Sequence, residues 1–345
     1  MGATGKLLVA DGNSLLYSAA DGSVRVRNIS TGAEIILAGI TSLQNPDNWQ
    51  LTGGYVYAEA FGNDCPSQFY CVYQWDQEGV KINLSVLSGT GGNPNKITLS
   101  GHDGFLIWNS GWVGVLYNQL TKAFTLLPPG QSAPVNSFYV SNGSVNYYYW
   151  YFVLDEPFDW LQAYSWSSQT QLSTAMLDFI PYGVPLQFES PGSIQTDGEK
   201  IAWLSGVSIT GPHIQSLTWQ PVEGGPSSSL AEDVGRDAPF LLSDGVLAVL
   251  EEENGASYFQ VYLKVVTLAG QIVTLSTDST VRLIGNASGN VIYQIPTTNT
   301  VYRWNAASGT VSELINTIPN QIIMSGTYIY FTQGSNNAVY QIRLQ

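Results

Sequence analysis

The sequence has few charged side chains. Asp, Glu, Lys and Arg make up 11% of its 345 residues, well below the quarter that is usual in globular proteins. Only 12 residues are basic and 26 are acidic, which gives a formal net charge of -14. An acidic surface repels nucleic acid and anionic lipid, so we expect no nucleic-acid partner and no direct membrane insertion.

The sequence also lacks the motifs of common enzymes. His102 and His213 are the only histidines, and they show no metal-ligand spacing. There is no Gly-x-Ser-x-Gly elbow, no phosphate-binding glycine loop and no arginine cluster of the kind that a sialidase needs. We therefore assign no catalytic residue, no metal site and no cofactor. Two or three converging carboxylates would leave no motif, so a glycosidase stays open as an alternative.

Helical and membrane-spanning patterns are missing as well. No apolar period of 3.6 residues persists, and no apolar stretch approaches the length of a transmembrane span. Met1 to Lys6 is not followed by the apolar region of a signal peptide. We therefore predict an all-β protein and, if it is exported, a mature form or an excised domain.

The clearest feature that is present is a turn dipeptide between short apolar or aromatic strands. It recurs eight times at intervals of 37 to 55 residues. The positions are Asp11-Gly12, Gly53-Gly54, Asp103-Gly104, Asn142-Gly143, Asp197-Gly198, Asp244-Gly245, Ser288-Gly289 and Ser325-Gly326. Gly after Asp, Asn or Ser suits a two-residue hairpin turn, which requires positive φ angles.

One repeat is complete between Gly289 and Phe331, where four short strands follow one another within about forty residues. Four-stranded antiparallel units of this period are typical of the blades of a β-propeller. We predict a single propeller domain over residues 1–345 with eight blades, or seven if the long unit 142–197 is irregular or the first and last units merge. The last unit contains only three strands. Closure must then use the N-terminus as an outer strand or leave that blade three-stranded.

Two segments carry a resemblance to a known family. SVRVRNISTGAEIIL (23–37) and TVYRWNAASGTVSELI (300–315) resemble the repeats of bacterial quinoprotein-like and YVTN-like propellers, in which a Thr-Gly or Ser-Gly turn leads to the outer strand. The resemblance implies a propeller fold for the whole chain. Quinoprotein repeats place a Trp at the end of the outer strand, whereas Leu37 and Leu314 or Ile315 stand there in this chain. We therefore expect no quinone cofactor.

A propeller has two faces with different connections. On one face, here called the turn face, lie the turns between the first and second strands and between the third and fourth strands of each blade. The other, here called the loop face, carries the second-to-third connections and those between blades. By this assignment the loop face holds the long connections and half of the 26 carboxylates, so it would attract a cation such as calcium or a basic partner. Solvated charges in ordinary loops are the alternative interpretation.

The predicted binding residues lie on this loop face. Phe158 and Trp160 stand beside carboxylates in or next to a loop, and exposed aromatics of this kind stack on sugar rings. The aromatic run 146–153 before them is explained by a strand that is buried on both faces. The full set of candidate binding residues is Asp155, Phe158, Asp159, Trp160, Asp233, Asp237, Glu251, Glu252 and Glu253.

Cys65 and Cys71 are the only cysteines, and they lie across a predicted hairpin. A disulfide there is geometrically feasible, with two free thiols as the alternative. Together with the polar, charge-poor composition, it favours an extracellular or cell-surface location. We expect a non-enzymatic binding or scaffold module, monomeric or part of a larger surface protein, that engages a protein or a glycan through its acidic loop face. The alternative is a carboxylate-dependent glycoside hydrolase or lyase with its site in the central funnel.

Overall fold

The chain folds into antiparallel β-sheets with very little helix. The computed structural model describes the chain except for residues 1–4, 66–68, 93–98, 103, 111–112, 128–137, 142–143, 153–158, 168–172, 182–193, 198, 206–213, 222–225, 227, 236–239, 256–257, 268–269, 336 and 345. Within the described residues the strands form eight sheets, seven of four strands and one of three. The helical segments found there are α1 (Leu84–Leu87) and two 3₁₀ turns, Ile40–Ser42 and Pro296–Thr298. The prediction of an all-β protein is confirmed.

Each sheet uses strands that are consecutive in the chain. Sheets 1 to 4 consist of β1 (Gly5–Asp11), β2 (Ser14–Ala19), β3 (Val24–Asn28), β4 (Glu34–Ile36); β5 (Leu43–Thr52), β6 (Tyr55–Gly62), β7 (Cys71–Trp75), β8 (Lys81–Asn83); β9 (Leu99–His102), β10 (Phe105–Ser110), β11 (Val113–Asn118), β12 (Ala123–Leu126); and β13 (Phe138–Ser141), β14 (Ser144–Phe152), β15 (Asp159–Ser167), β16 (Ser173–Pro181). Sheets 5 to 8 consist of β17 (Ile194–Thr196), β18 (Lys200–Ser205), β19 (Ile214–Pro221), β20 (Ser228–Gly235); β21 (Phe240–Ser243), β22 (Val246–Gly255), β23 (Tyr258–Val266), β24 (Ile272–Ser276); β25 (Arg282–Ala287), β26 (Asn290–Ile295), β27 (Thr300–Asn305), β28 (Thr310–Ile315); and β29 (Gln321–Ser325), β30 (Tyr328–Gln333), β31 (Ala338–Arg343).

In sheets 1, 2, 6, 7 and 8, where both residues are described, the recurring turn dipeptides join the first two strands, as the sequence predicts. In sheets 6 and 7 both central residues of the turn have positive φ, 50° and 72° at Asp244-Gly245 and 51° and 67° at Ser288-Gly289. That is the geometry of a tight hairpin turn, whose twist matches the twist of the two strands that it joins. Asp103, Asn142, Gly143 and Gly198 of the other turns lie outside the described residues.

The hydrophobic core lies between neighbouring sheets. Six clusters of buried side chains in the described residues each join two sheets, so the core is divided into layers. Leu247 of sheet 6, for example, packs with Leu217 of sheet 5, while Val265 of sheet 6 packs with Val291 of sheet 7. The same arrangement joins sheet 8 to sheet 1, where Tyr330 packs against Leu15. The second and third strands consist mostly of apolar residues because both of their sides are buried in this way.

The first strands of successive sheets contact one another, and β1 contacts both β5 and β29. Amide side chains connect several of these strands to the next sheet. The Gln195 side chain donates to the Phe240 carbonyl and accepts from the Leu242 backbone N–H. At the junction of sheets 8 and 1, the Leu7 backbone N–H donates in the same way to the Gln321 side chain at 2.9 Å. The two ends of the described chain are thereby brought together.

Among the described residues the last sheet has three strands in the order β29-β30-β31. β1 belongs to sheet 1, where it pairs with β2.

Candidate functional site

Among the described residues, sheets 4 to 6 contain the longest third strands, with 9 residues in β15, 8 in β19 and 9 in β23. The second strand β22 of sheet 6 has 10 residues and β14 of sheet 4 has 9, whereas β26 of sheet 7 and β30 of sheet 8 have 6 each. All four begin directly after the turn on the turn face, so the extra residues of β22 reach about 14 Å farther toward the loop face than β26 does. We call the extended ends of these three sheets the projections.

Sheet 6 carries the acidic run Glu251 to Glu253. The sequence predicts a loop there, and this is wrong, because the run lies in β22 and pairs with β23. Glu252 and Glu253 pair with Val261 and Gln260 in the part of the hairpin that extends beyond the length of β26. They lie on the projection.

Glu251 lies at the base of this projection and is only 8% exposed. Its carboxylate forms an ion pair with the ammonium group of Lys264 on the neighbouring strand β23. Lys264 also lies 5.6 Å from the ring centroid of Tyr262. A buried carboxylate needs such a partner, so Glu251 stabilises the hairpin and is not a surface ligand group.

Sheet 4 places two of the predicted binding residues on its own projection. Asp159 and Trp160 are the first residues of β15 and pair with Phe152 and Tyr151 of β14. The sequence predicts that Trp160 lies in or next to a loop, and in the structure it is the second residue of a strand. Asp155 and Phe158, which belong to the same predicted site, lie outside the described residues.

Sheet 5 lies between these two sheets. Asp233 is part of β20, whose final residues Val234 and Gly235 pair with Gln215 and Ile214 at the start of β19. Asp237 lies outside the described residues. The backbone positions of Asp159, Trp160, Asp233, Glu252 and Glu253 therefore lie on three consecutive sheets and toward the same face.

Described carboxylates elsewhere on the loop face are held by local contacts. The Ser23 hydroxyl and backbone N–H donate to Asp21, and these hydrogen bonds lower the pKa of its carboxyl to about 2. The hydroxyls of Thr280 and Thr297 donate to Asp278 and lower its pKa likewise. These carboxylates shape connections and are poorly suited to act as proton donors.

The disulfide predicted between Cys65 and Cys71 is present, with a Cα–Cα distance of 6.0 Å. It closes the connection between β6 and β7 on the loop face. Beside it, the Tyr73 hydroxyl donates to Asp64 at 2.9 Å, and Lys81 lies 3.6 Å from the same carboxylate oxygen. Burial, together with the hydrogen bond to Asp64, raises the pKa of Tyr73.

Carboxylates on the turn face connect neighbouring sheets. Asp197 accepts the backbone N–H groups of Glu199 and Lys200 in its own turn and that of Gly245 in the next sheet. Asp244 accepts the backbone N–H of Ser288 in sheet 7. The Asp of a turn dipeptide thus has a second role besides its tolerance of positive φ, because it anchors the following turn.

Solved structures with a similar fold include a computationally designed protein called Ika8, with a TM-score of 0.59 and 13% identity over 99% of this chain and 98% of that one. Dipeptidyl peptidase 4 of Porphyromonas gingivalis gives a TM-score of 0.58 at 12% identity, and oligopeptidase B of Leishmania major gives 0.52 at 9%. The fold is β-propeller-like. This chain spans 58% and 52% of the two peptidase chains, and 99% of it is covered in both. No family model and no curated protein matches the sequence.

A concave region on the turn face was not foreseen from the sequence. It has a volume of about 500 Å³ and lies where sheets 8, 1 and 2 meet, with Asp11, Gln50, Thr52, Ser325 and Tyr328 among its lining residues. The sequence identifies Asp11 and Ser325 only as turn residues. They come together because the Gly12 backbone N–H donates to the Ser325 hydroxyl across 313 residues of sequence.

No group of three or more His, Cys, Asp or Glu side chains in the described part of the chain is placed to hold a metal ion. No helix in the same residues is long and apolar enough to span a membrane.

Proposed function

We propose that this protein is a non-enzymatic binding or scaffold module that engages a protein or a glycan through the projections of sheets 4 to 6. The observation that carries the proposal is the elongation of three consecutive sheets toward one face. Acidic positions occur on all three, and Trp160 lies on the projection of sheet 4. A broad acidic surface with an aromatic anchor suits a basic protein segment or the hydroxyl-rich face of a sugar.

The competing function is a carboxylate-dependent glycoside hydrolase or lyase in the central funnel. Such an enzyme needs two or three carboxylates in one pocket, at least one of them with a raised pKa. Among the described carboxylates, Asp21 and Asp278 have lowered pKa values, and Glu251 is paired with Lys264. These contacts favour binding over catalysis.

The proposed location is outside the cytoplasm. Disulfides persist in oxidising compartments and are rare in cytosolic proteins. The Cys65–Cys71 disulfide supports this location, and so does a composition with few charges.

We also propose that the eight sheets are the blades of one closed propeller that spans residues 1–345. The support is the contact of β29 with β1, the shared core of sheets 8 and 1, and the hydrogen bond from Leu7 to Gln321. The quinoprotein-like resemblance of residues 23–37 and 300–315 is then one of architecture, without a quinone site.

The test is binding of the wild type and two variants to a glycan array and to basic peptides. Trp160→Ala removes the aromatic side chain, and Glu252→Gln with Glu253→Gln removes two charges while Glu251 and its ion pair are kept. We expect each variant to weaken binding by about tenfold or more, which corresponds to about 1.4 kcal/mol. Binding of a basic peptide should also weaken with added salt.

The matched control removes two charges from the opposite face. Glu78 and Glu199 are exposed and lie in turns on the turn face. Glu78→Gln with Glu199→Gln should bind like the wild type. If both double variants lose binding affinity equally, the effect is one of net charge and not of this face. If the wild type turns over a carbohydrate, the protein is an enzyme and the proposal is wrong.

A further inference from the structure

The position at the end of the third strand fills the space between neighbouring sheets. In sheets 2 and 7 it holds Trp75 and Trp304, which are 0% and 1% exposed. Trp75 packs with residues of sheet 1 and donates its indole N–H to the Ala38 carbonyl, while Trp304 packs with residues of sheet 6. In sheet 3 the position holds Tyr117, which packs with residues of sheet 2. Each of the three aromatic residues precedes a residue whose side-chain oxygen accepts a backbone N–H in the following turn: Asp76, Asn305 and Asn118.

A pocket lies between sheets 2 and 3, where Tyr117 stands in place of a tryptophan. Its volume is about 360 Å³, and small-molecule sites span roughly 300–1,000 Å³. A phenol ring is smaller than an indole, so Tyr117 fills less of the space between its two sheets than Trp75 and Trp304 fill between theirs. We call this space the sheet 2–3 pocket. All of its lining residues lie between Tyr55 and Phe124, so neither end of the sequence takes part in it.

A buried glutamine holds Tyr117 in its position. Gln74 is 1% exposed and lines the sheet 2–3 pocket. Its side-chain oxygen accepts the Tyr117 hydroxyl, and its amide nitrogen donates to the Tyr57 hydroxyl, each at 3.3 Å. These hydrogen bonds connect sheet 3 to sheet 2 and fix the Tyr117 ring at the wall of the pocket. The pocket therefore has a defined wall and is not a gap between loosely packed sheets.

The part of the pocket farther from the turn face is apolar. β8 runs away from the turn face, so Ile82, Leu84 and Leu87 lie farther from that face than the turn that precedes them. Phe124 of β12 lines the pocket from sheet 3. Leu84 is buried, but Ile82 and Leu87 are 36% and 62% exposed. Apolar side chains at the mouth of a pocket lose their contact with water when an apolar ligand covers them, and this favours binding.

Two opposite charges line the end of the pocket at the turn face. Asp76 follows β7 and Lys122 precedes β12. The backbone N–H groups of Glu78 and Val80 donate to Oδ1 of Asp76, and no hydrogen bond from the described residues reaches its Oδ2. The Lys122 ammonium lies 4.3 Å from the Tyr55 ring centroid and forms no ion pair with a described carboxylate. A ligand with an ammonium and a carboxylate of its own is complementary to these two charges.

We propose that the sheet 2–3 pocket binds a free aromatic α-amino acid. Its ring enters the space that an indole fills in sheets 2 and 7, and it packs against Leu84 and Phe124. Its ammonium pairs with Asp76 and its carboxylate with Lys122, so the charged end of the ligand lies at the turn face. Simple acids and simple amines are selected against, because each leaves one of the two charges of the pocket unpaired. The site is separate from the projections, which lie on sheets 4 to 6.

An aromatic side chain of a partner protein is a poorer occupant. Such a side chain would fill the same space, but the backbone at an internal position of a chain carries neither an ammonium nor a carboxylate. Asp76 and Lys122 would lose contact with water beside a neutral peptide unit and gain no partner charge. The charges therefore favour the free amino acid, and a capped ligand distinguishes the two occupants.

The probe is L-tryptophan, and its binding is measured by calorimetry beside two control ligands. N-acetyl-L-tryptophanamide keeps the ring and removes both charges, whereas L-alanine keeps the charges and removes the ring. We expect L-tryptophan to bind with a Kd of about 1 mM or below, and each control to bind at least about tenfold more weakly. No saturable binding of L-tryptophan, or equal binding of L-alanine, would overturn the proposal. Equal binding of the capped form would show that the occupant is an aromatic side chain of a partner, which overturns it as well.

Three substitutions locate the site. Tyr117→Trp places an indole in the pocket, as in sheets 2 and 7, and should abolish the binding of L-tryptophan. Lys122→Gln removes the charge that pairs with the ligand carboxylate and should weaken binding about fivefold. Lys6→Gln is its matched control, because Lys6 is an exposed lysine of sheet 1 at the opposite face, and it should leave the affinity unchanged. Wild-type affinity in folded Tyr117→Trp, or equal losses in the two lysine variants, would contradict the proposal.

If Tyr117→Trp fails to fold, Leu87→Trp decides. Leu87 is exposed at the mouth of the pocket, so a larger side chain fits there without disturbing the core, and it covers the mouth. The affinity for L-tryptophan should then fall at least about tenfold. Circular dichroism shows whether each variant is folded, and wild-type affinity in folded Leu87→Trp would refute the site.

Discussion

The Tyr330 hydroxyl in sheet 8 donates a hydrogen bond to the Gly12 carbonyl in sheet 1, across 318 residues of sequence. Tyr330 is fully buried and packs in the cluster shared by these two sheets. The bond therefore belongs to the contact that brings the last described sheet against the first.

Tyr330→Phe should lower the free energy of unfolding by about 1 to 2 kcal/mol, because it leaves the Gly12 carbonyl without this buried donor. Denaturant titration of both proteins measures the difference. Tyr340→Phe is the control, because Tyr340 is exposed and stacks on Phe331 through its ring. A loss of equal size in the control would assign the effect to something other than this hydrogen bond.

Alkaline pH should weaken the same contact. Burial raises the pKa of Tyr330 to about 12, so its neutral form is favoured in the folded protein. In the unfolded chain the same tyrosine side chain ionises near pH 10. The stability that its neutral form contributes is therefore lost as the pH rises from about 10 through 12. The stability advantage of the wild type over Tyr330→Phe should shrink across this range, and denaturant titrations at pH 9, 10 and 11 would reveal a constant advantage if this is wrong.

The ion pair of Glu251 and Lys264 predicts an asymmetric result. Lys264→Met alone leaves a carboxylate buried without its partner and should cost about 2 kcal/mol, a value reduced from that of fully buried pairs because Lys264 is partly exposed. Glu251→Gln combined with Lys264→Met should cost less than Lys264→Met alone. A double-mutant cycle measures the coupling, and strictly additive losses would exclude a stabilising pair.

Asp197 and Asp244 should differ in their contribution to stability. Asp197 accepts three backbone N–H groups and Asp244 accepts one from the next sheet, that of Ser288. Asp197→Ala should cost about 2 to 3 kcal/mol in free energy of unfolding, because three backbone N–H groups lose a charged acceptor. Asp244→Ala should cost about 1 kcal/mol, because only one backbone N–H of the next sheet loses its acceptor. Thermal and denaturant unfolding of both variants, compared with Glu199→Ala in the same region, would show whether this order holds.

Removal of the disulfide should destabilise the protein modestly. Cys65 and Cys71 close a loop with a sequence separation of 6, for which the chain-entropy estimate is about 2 kcal/mol. Cys65→Ser with Cys71→Ser should lower stability by that amount and leave the far-ultraviolet circular dichroism unchanged. Two free thiols in unreduced, denatured wild type would contradict the bond itself.

Local signals in the sequence were sufficient to predict the strands and turns that form the sheets. Turn dipeptides such as Asp244-Gly245 and the β-branched strands beside them depend on backbone preferences within a few residues, and both were predicted correctly. The acidic run at Glu251 was assigned to a loop because three consecutive carboxylates break the apolar alternation of a strand. What holds the run in β22 is its pairing with β23, where Lys264 supplies the partner charge, and a single sequence does not show that contact.

The candidate site also has features that the sequence predicts and features that depend on contacts distant in the sequence. The sequence selected Asp159, Trp160, Asp233, Glu252 and Glu253 from composition and spacing, and their backbone positions do lie toward one face. That they lie on elongated strands depends on cross-strand register, which the turn on the opposite face sets. The concave region that Asp11 and Ser325 line depends on contact between the first and last described sheets, so no local pattern reveals it.

The three-stranded sheet 8 also determines how the protein bears mechanical load. Among the described residues, sheets 8 and 1 share no strand, and side-chain bonds such as those of Gln321 and Tyr330 hold them together with their common core. Force that separates β1 from β29 therefore acts on these side-chain contacts and on the common core, and not on a shared ladder of backbone hydrogen bonds. Such a force should separate sheets 8 and 1 before it unravels either sheet.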